Sequence, residues 1–237
     1  MDFDLVSDLH VDTWGRPFPI PEPGRLLVVA GDVSDDPVLT SRVLGDLTRH
    51  YSRVLFVDGN HESYQDPTHP ERTVESMTAA LQRLPPRRRK KVHYLSVDGP
   101  FIHKGVAFIG RNGWWSREGD REARIALADA RSLVAEAAAM EEKPRVSEVV
   151  VVTHTPSHPG AVVLGGYIRT KEHAEMYCNR HMAELLRFPK VRLFVFGHNH
   201  TPLARRIRGR HYLSNPRGRP GDYEGSEHYT PLTIRLK

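Results

Sequence analysis

Short apolar runs recur along the chain, and most of them end abruptly in polar residues. Residues 3–7, 26–30 and 54–57 are apolar at nearly every position, as strands buried on both faces of a parallel sheet must be. Between the second and third runs, Asp36-Pro37 offers an N-cap and a first-turn proline, which predicts a helix to about His50 and completes a βαβ unit. A second helix is expected over 70–84, stopped by Pro85-Pro86. Residues 92–97 read as a strand, and 101–103 and 106–109 as two more joined through Lys104-Gly105. The segment 122–142, rich in Ala, Leu, Arg and Glu, is the clearest helix and ends before Pro144. Runs 149–152 and 193–196 are again strand-sized, with a helix expected over 174–188 between them. Finally 204–207 and 211–214 flank Arg208-Gly209-Arg210 as a hairpin, and 232–236 reads as a last strand. The alternation predicts an α/β protein with helices packed on sheet faces. Its 237 residues suit one domain, and no repeat or linker divides them, so a single domain over 1–237 is expected.

The residues at the strand ends are chemically selective. Asp8-Leu9-His10, Gly31-Asp32, Gly59-Asn60-His61-Glu62, Thr153-His154 and Gly197-His198-Asn199-His200 each come directly after an apolar run. In an α/β sheet, ligands gather beyond the carboxyl ends of the strands, so these loops would open on one edge. Asp8 and His10 are two apart, as are His198 and His200, so on extended backbone each pair can face one side. Seven oxygen and imidazole donors, Asp8, His10, Asp32, Asn60, His154, His198 and His200, are enough to hold two metal ions. Two aspartates bring a charge of about −2, so two divalent cations leave about +2, or about +1 with a bridging hydroxide, which suits anionic phosphate oxygens.

The ordered set D-x-H, G-D, G-N-H-E, a lone His after a strand, and G-H-x-H resembles the calcineurin-like metallophosphoesterase superfamily, over residues 8–200. The resemblance implies a fold of two mixed β-sheets flanked by helices, a four-layer α/β/β/α sandwich. It implies that Asp8, His10 and His200 bind one metal, that Asn60, His154 and His198 bind the other, and that Asp32 bridges them. Ligand softness and the resemblance together point to Mn or an Fe-containing pair, with Zn, Co or Ni as alternatives. The reaction expected is hydrolysis of a phosphoester, with a phosphodiester as the leading reading. In it a metal-bridging hydroxide attacks phosphorus while His61, beside Asn60, protonates the departing oxygen. A phosphomonoesterase shares the same core, and a metal-binding scaffold without turnover is a third reading. The superfamily's protein phosphatases usually carry an Arg before G-N-H-E, where this chain has Asp58, and an Arg after G-D that is missing here.

Several neighbours carry two readings each. Glu62 either orients His61 or caps the next turn as an exposed carboxylate, and His158 is either an ordinary polar residue or a contact for substrate phosphate. Trp114-Trp115 packs in the core or forms a stacking wall. Arg217, in Asn215-Pro216-Arg217-Gly218, meets a phosphate or belongs to a turn that fixes the preceding strand.

Composition narrows the partners. A net charge of +5 and a pI near 9.4 are a mild excess, and the dense run Arg87-Arg88-Arg89-Lys90-Lys91 reads as a solvated loop. A small phosphoester or nucleotide is therefore expected as substrate, without a stable nucleic-acid complex. No apolar run approaches the roughly 20 residues of a membrane span. The single cysteine, Cys178, reads as a small buried hydrophobe, and with no basic-then-apolar leader visible a cytoplasmic location is expected.

Overall fold

Strands β1 (Asp2–Val6), β2 (Leu26–Ala30) and β3 (Arg53–Val57) lie parallel and, apart from the first residues of β1 and β3, are buried throughout, Asp4 being the one buried charged residue among them. The short β4 (Val92–Tyr94) continues them and β11 (Leu232–Arg235) adds antiparallel to β1, giving the order β11-β1-β2-β3-β4. A second sheet collects β5 (Phe101–His103), β6 (Val106–Arg111), β7 (Glu148–Thr153), β8 (Val191–Phe196), β9 (Leu203–Ile207) and β10 (Arg210–Ser214), in the order β5-β6-β7-β8-β10-β9. Its middle strands are parallel and its two edge strands antiparallel. This computed structural model describes residues 1–15, 17–20, 23–117, 121–164, 168 and 170–236.

The helices are α1 (Val11–Trp14), α2 (Pro37–Leu47), α3 (Thr73–Gln82), α4 (Pro86–Arg89), α5 (Leu95–Asp98), α6 (Glu122–Glu141) and α7 (Lys171–Met176). Side-chain alternation explains the layering. Leu27, Val29, Val54 and Phe56 face Leu44 of α2 and Met77 and Leu81 of α3. Val28, Ala30, Leu55 and Val57 face the other way, against Phe108, Val150, Val152 and Val195 of the second sheet. That sheet's outer face, with Ile109, Val151 and Phe194, packs on Ala130, Leu133 and Ala137 of α6. Two mixed sheets thus stack face to face between helices, as the motif resemblance implies. Among the described residues, no helix is long and apolar enough to cross a membrane.

Three local expectations are corrected. The strand read over 92–97 stops at Tyr94, because the Asp98 carboxylate accepts the Tyr94 N–H at 2.9 Å and Gly99, at φ 75°, closes a helical turn. The helix read over 174–188 is broken. α7 ends at Met176 and a 3₁₀ stretch runs from Arg180 to Arg187, because the buried Asn179 side chain donates to Gly113 O and Ala126 O and caps His181 N. The basic run contains helix α4, and its charges are used locally: Arg88 reaches Asp46, Arg89 reaches Val92 O and Lys91 reaches Thr48 O.

The carboxyl ends of β1, β2, β3, β7 and β8 meet across the two sheets. Backbone bonds tie their loops together: Asp8 N to Gly31 O at 3.0 Å, His10 N to Asp32 O at 3.2 Å and Gly197 N to His154 O at 3.0 Å. The loops approach so closely that two motif glycines have no alternative. A Cβ on Gly59 would lie 2.0 Å from Asp32 Oδ1, and one on Gly197 would lie 2.5 Å from Asp8 Oδ2.

Candidate metal centre

All seven donors read from the sequence lie at this junction. His10 Nε2 and His200 Nε2 are 2.9 Å apart, and His200 Nε2 is 3.4 Å from Asp8 Oδ1. Asp8, His10, Asp32 and His200 form a cluster whose donor atoms lie within 4.8 Å of one another. On the other side, Asn60 Oδ1 is 3.0 Å from both His154 Nε2 and His198 Nδ1, and His154 Nε2 is 3.1 Å from Asp32 Oδ2. Asp32 is therefore common to both groups. Five of these residues, Asp8, His10, Asp32, His198 and His200, have positive φ, between 39° and 73°. Backbone held in that region costs free energy, and its concentration where donors converge marks a functional site.

Tautomers decide what these short distances mean. His154 Nδ1 lies 2.9 Å from Ala30 O, which only accepts, so Nδ1 carries the proton. His200 Nδ1 lies 2.5 Å from Asp222 Oδ2 and is likewise the donor. In the neutral rings both Nε2 atoms then present lone pairs, toward Asp32 Oδ2 and Asn60 Oδ1 in one case and toward Asp8 Oδ1 in the other. Lone pairs facing lone pairs repel unless a proton or a cation lies between them. Asp8 Oδ2, His10 Nδ1 and His198 Nε2 are moreover buried with no hydrogen-bond partner. The donor set, imidazole-rich and thiolate-free with a shared carboxylate, fits a pair of transition-metal ions.

The electrostatics without a cation show the same conflict. Burial disfavours the His154 imidazolium, yet the carboxylates of Asp32 and Asp8 outweigh it and lift the ring to about 10. Burial pushes His10 and His198 down to about 3, against the attraction of Asp32. Burial also works against the Asp32 carboxylate, but His154, His61 and His10 hold it well below the ordinary range. The site is built for positive charge at its centre, and part of its own protein supplies it when nothing else does.

His61 stands at the rim. Its N–H donates to Asp32 Oδ1 at 2.9 Å, its Nδ1 lies 2.6 Å from Asp35 Oδ1, and its Nε2 lies 3.7 Å from Asp32 Oδ2. Asp35, three residues after Asp32, belongs to none of the motifs, yet its carboxylate orients the His61 ring. Asp222, which orients His200, and Arg219, whose Nη2 lies 3.3 Å from His61 Nε2, were also missed. They come after the last motif, in a segment with no ligand spacing of its own.

The ambiguous neighbours now separate. Glu62 neither orients His61 nor lies exposed: it is 1% accessible, and its carboxylate accepts the N–H groups of Gly59, Asp32 and Val33 and the Thr40 hydroxyl. It clamps two ligand loops together, while burial and the nearby Asp32 charge push it up to about 8. His158 Nδ1 accepts Gly160 N–H at 2.9 Å, and its ring lies beside Tyr212 rather than in the cleft. Arg217 is 2% exposed with its guanidinium over the Trp14 ring at 4.3 Å, while Arg217 N and Gly218 N bond Ser7 O and Asp8 O, so this segment latches the first ligand loop. Trp114 is buried, whereas Trp115 lines the cleft with its ring stacked on His198, centroids 5.6 Å apart at 18°.

The cleft over the centre has a volume of about 740 Å³, and its lining includes side chains beyond the donors. Tyr64 borders His61, Trp115 and Tyr177 border His198, and Met176 lines the same cleft. The Trp115 turn is held from α6, where the Asp129 carboxylate accepts Gly113 N–H at 2.9 Å. Burial pushes Asp129 up to about 7, partly offset by that N–H and reinforced by Asp58. A folded value above the unfolded one of about 3.9 means that the fold binds more protons between about pH 4 and pH 7. The contribution of this carboxyl to stability is thus present at pH 4 and lost as pH rises through 7. Asp129→Asn, which keeps the acceptor, is expected to raise Tm relative to the parent above pH 7 and progressively less toward pH 4. A Tm difference that does not change with pH would contradict this.

Comparison with known proteins agrees with this geometry. The family described as calcineurin-like phosphoesterase matches residues 1–202. The chain resembles the crystal structure of phosphopantetheinyl hydrolase from Mycobacterium tuberculosis, with TM-score 0.66 and 17% identity over 99% of this chain and 96% of that one. It also resembles a dimetal phosphatase from Danio rerio, with TM-score 0.53 and 14% identity over 90% of this chain and 86% of that one. At these identities the likeness is one of fold. No curated protein sequence matches the chain.

Proposed function

The chain belongs to the calcineurin-like phosphoesterase family of metal-dependent hydrolases, and from that premise we propose that it is a phosphodiesterase acting on small phosphoesters or nucleotides. The observation that carries this reading is the roomy cleft over the centre, about 740 Å³, whose wall reaches beyond the donors to Tyr64 beside His61 and to Trp115 and Tyr177 beside His198. A diester carries two substituents on phosphorus and needs room for both, whereas a monoester needs room for one.

Asp8, His10 and His200 would hold one ion and Asn60, His154 and His198 the other, with Asp32 between them. Mn or an Fe/Mn pair suits these donors. Two such ions supply, when bound, charge neutralisation of the phosphate oxygens and activation of water. The protein's own chemistry centres on His61. With Nδ1–H held by Asp35, its Nε2 faces the cleft; once protonated from solvent, Nε2 delivers that proton to the departing oxygen and the ring returns to its neutral Nδ1–H form. Trp115, which lines the cleft, offers an aromatic surface to a planar substituent.

The test is to assay the Mn-loaded protein side by side on bis-nitrophenyl phosphate, nitrophenyl phosphate, and 2′,3′- and 3′,5′-cyclic nucleotides. A preference for the diesters is expected. A preference for nitrophenyl phosphate would make it a monoesterase, and silence on all four with both metals bound would leave a scaffold.

A further inference from the structure

The guanidinium of Arg219 faces the cleft, 3.3 Å from His61 Nε2, and among the described residues no carboxylate lies within ion-pair distance of it. Its backbone, by contrast, is fixed. Arg219 N–H donates to Asp222 Oδ2 at 2.7 Å, the same oxygen that receives His200 Nδ1, and the preceding Gly218 N–H donates to Asp8 O at 2.9 Å. A flexible cationic side chain is thus mounted on a segment bonded to ligand loops from both sheets.

The contact with His61 is informative. Asp35 holds the proton of His61 on Nδ1, so Nε2 is an acceptor and Arg219 donates to it. The proposed proton delivery needs that nitrogen free to take up a proton and turned to the leaving group, so Arg219 must give up the contact when substrate arrives. A phosphate oxygen is a stronger acceptor for a guanidinium than a neutral imidazole is. Resting on the hydrolase reading above, we propose that Arg219 binds the phosphate of the substrate, leaving His61 Nε2 for a phosphate oxygen as the ester enters. Arg217, the residue that sequence reading had offered, is spent on Trp14.

The experiment compares the Mn-loaded parent with Arg219→Ala and Arg219→Lys in three measurements: metal content, calorimetric affinity for inorganic phosphate, and KM and kcat on bis-nitrophenyl phosphate. Two metals per chain are expected in all three proteins. Arg219→Ala should weaken phosphate binding on the order of 10- to 100-fold, as loss of a charged hydrogen bond does, with a raised KM, and Lys should restore only part because it lacks the planar fork. Unchanged phosphate affinity and KM in a fully metallated Arg219→Ala protein would overturn the assignment. A parent that binds phosphate through Arg219 yet hydrolyses no ester would support it and sink the hydrolase reading instead.

Discussion

Asp32→Asn is expected to strip the centre of its metals and to lower kcat/KM on any phosphoester by a factor on the order of 10³ or more, because it removes several kcal/mol of charge stabilisation. The reason is how many contacts converge on one carboxylate. Oδ2 faces His154 Nε2 at 3.1 Å and His61 Nε2 at 3.7 Å, while Oδ1 accepts the His61 N–H at 2.9 Å. No other side chain belongs to both donor groups. An amide of the same shape keeps an oxygen but loses the negative charge, leaving Asp8 as the one carboxylate among the proposed ligands. Metal analysis of the purified variant reads the effect directly, and circular dichroism shows whether the fold survives. Two metals per chain together with near-parental turnover would refute the bridging role of Asp32.

His61→Asn should act on a different quantity. Both metals are expected to stay, since His61 is not among the donors, and the loss should depend on the leaving group. Hydrolysis of alkyl or ribosyl diesters, whose departing oxygen needs a proton, should fall on the order of 10²- to 10⁴-fold, whereas nitrophenyl esters should fall far less. Asp35→Asn should show a smaller loss with the same selectivity, because its carboxylate, 2.6 Å from His61 Nδ1, keeps the proton there and Nε2 toward the cleft. Equal losses on both classes of ester, with metals bound, would remove the acid role.

How far these residues could be read in advance depended on the distance between partners. That the seven candidate donors meet at one junction was legible because they follow closely on buried strands, and strand ends come together where parallel strands share a sheet. Asp35 was half legible: its spacing from Asp32 could be seen, but only the path of the loop shows its carboxylate reaching His61. Glu62 fits neither of its two readings, as an orienter of His61 or an exposed cap, because its three amide partners belong to the loops after two different strands. The broken segment 174–188 has a similar cause, since Asn179 donates hydrogen bonds to the carbonyls of Gly113 and Ala126, more than fifty residues away.

Arg217 and Arg219 make the point most sharply. Two residues apart in one loop, both cationic, they differ only in which way the latched backbone turns them: one onto Trp14, the other into the cleft beside His61. From the chain alone came the α/β class, by strand periodicity, and, by the motif resemblance, the layered architecture, the candidate metal donors and the hydrolytic class, because periodicity and ligand type are local properties. Tertiary structure decided the rest: the tautomers set by Ala30 and Asp222, the clamp formed by Glu62, and the choice of Trp115 and Arg219 over their neighbours. Those features arise between segments whose approach no local pattern encodes, and hydrogen bonds that short exist only once two sheets have packed.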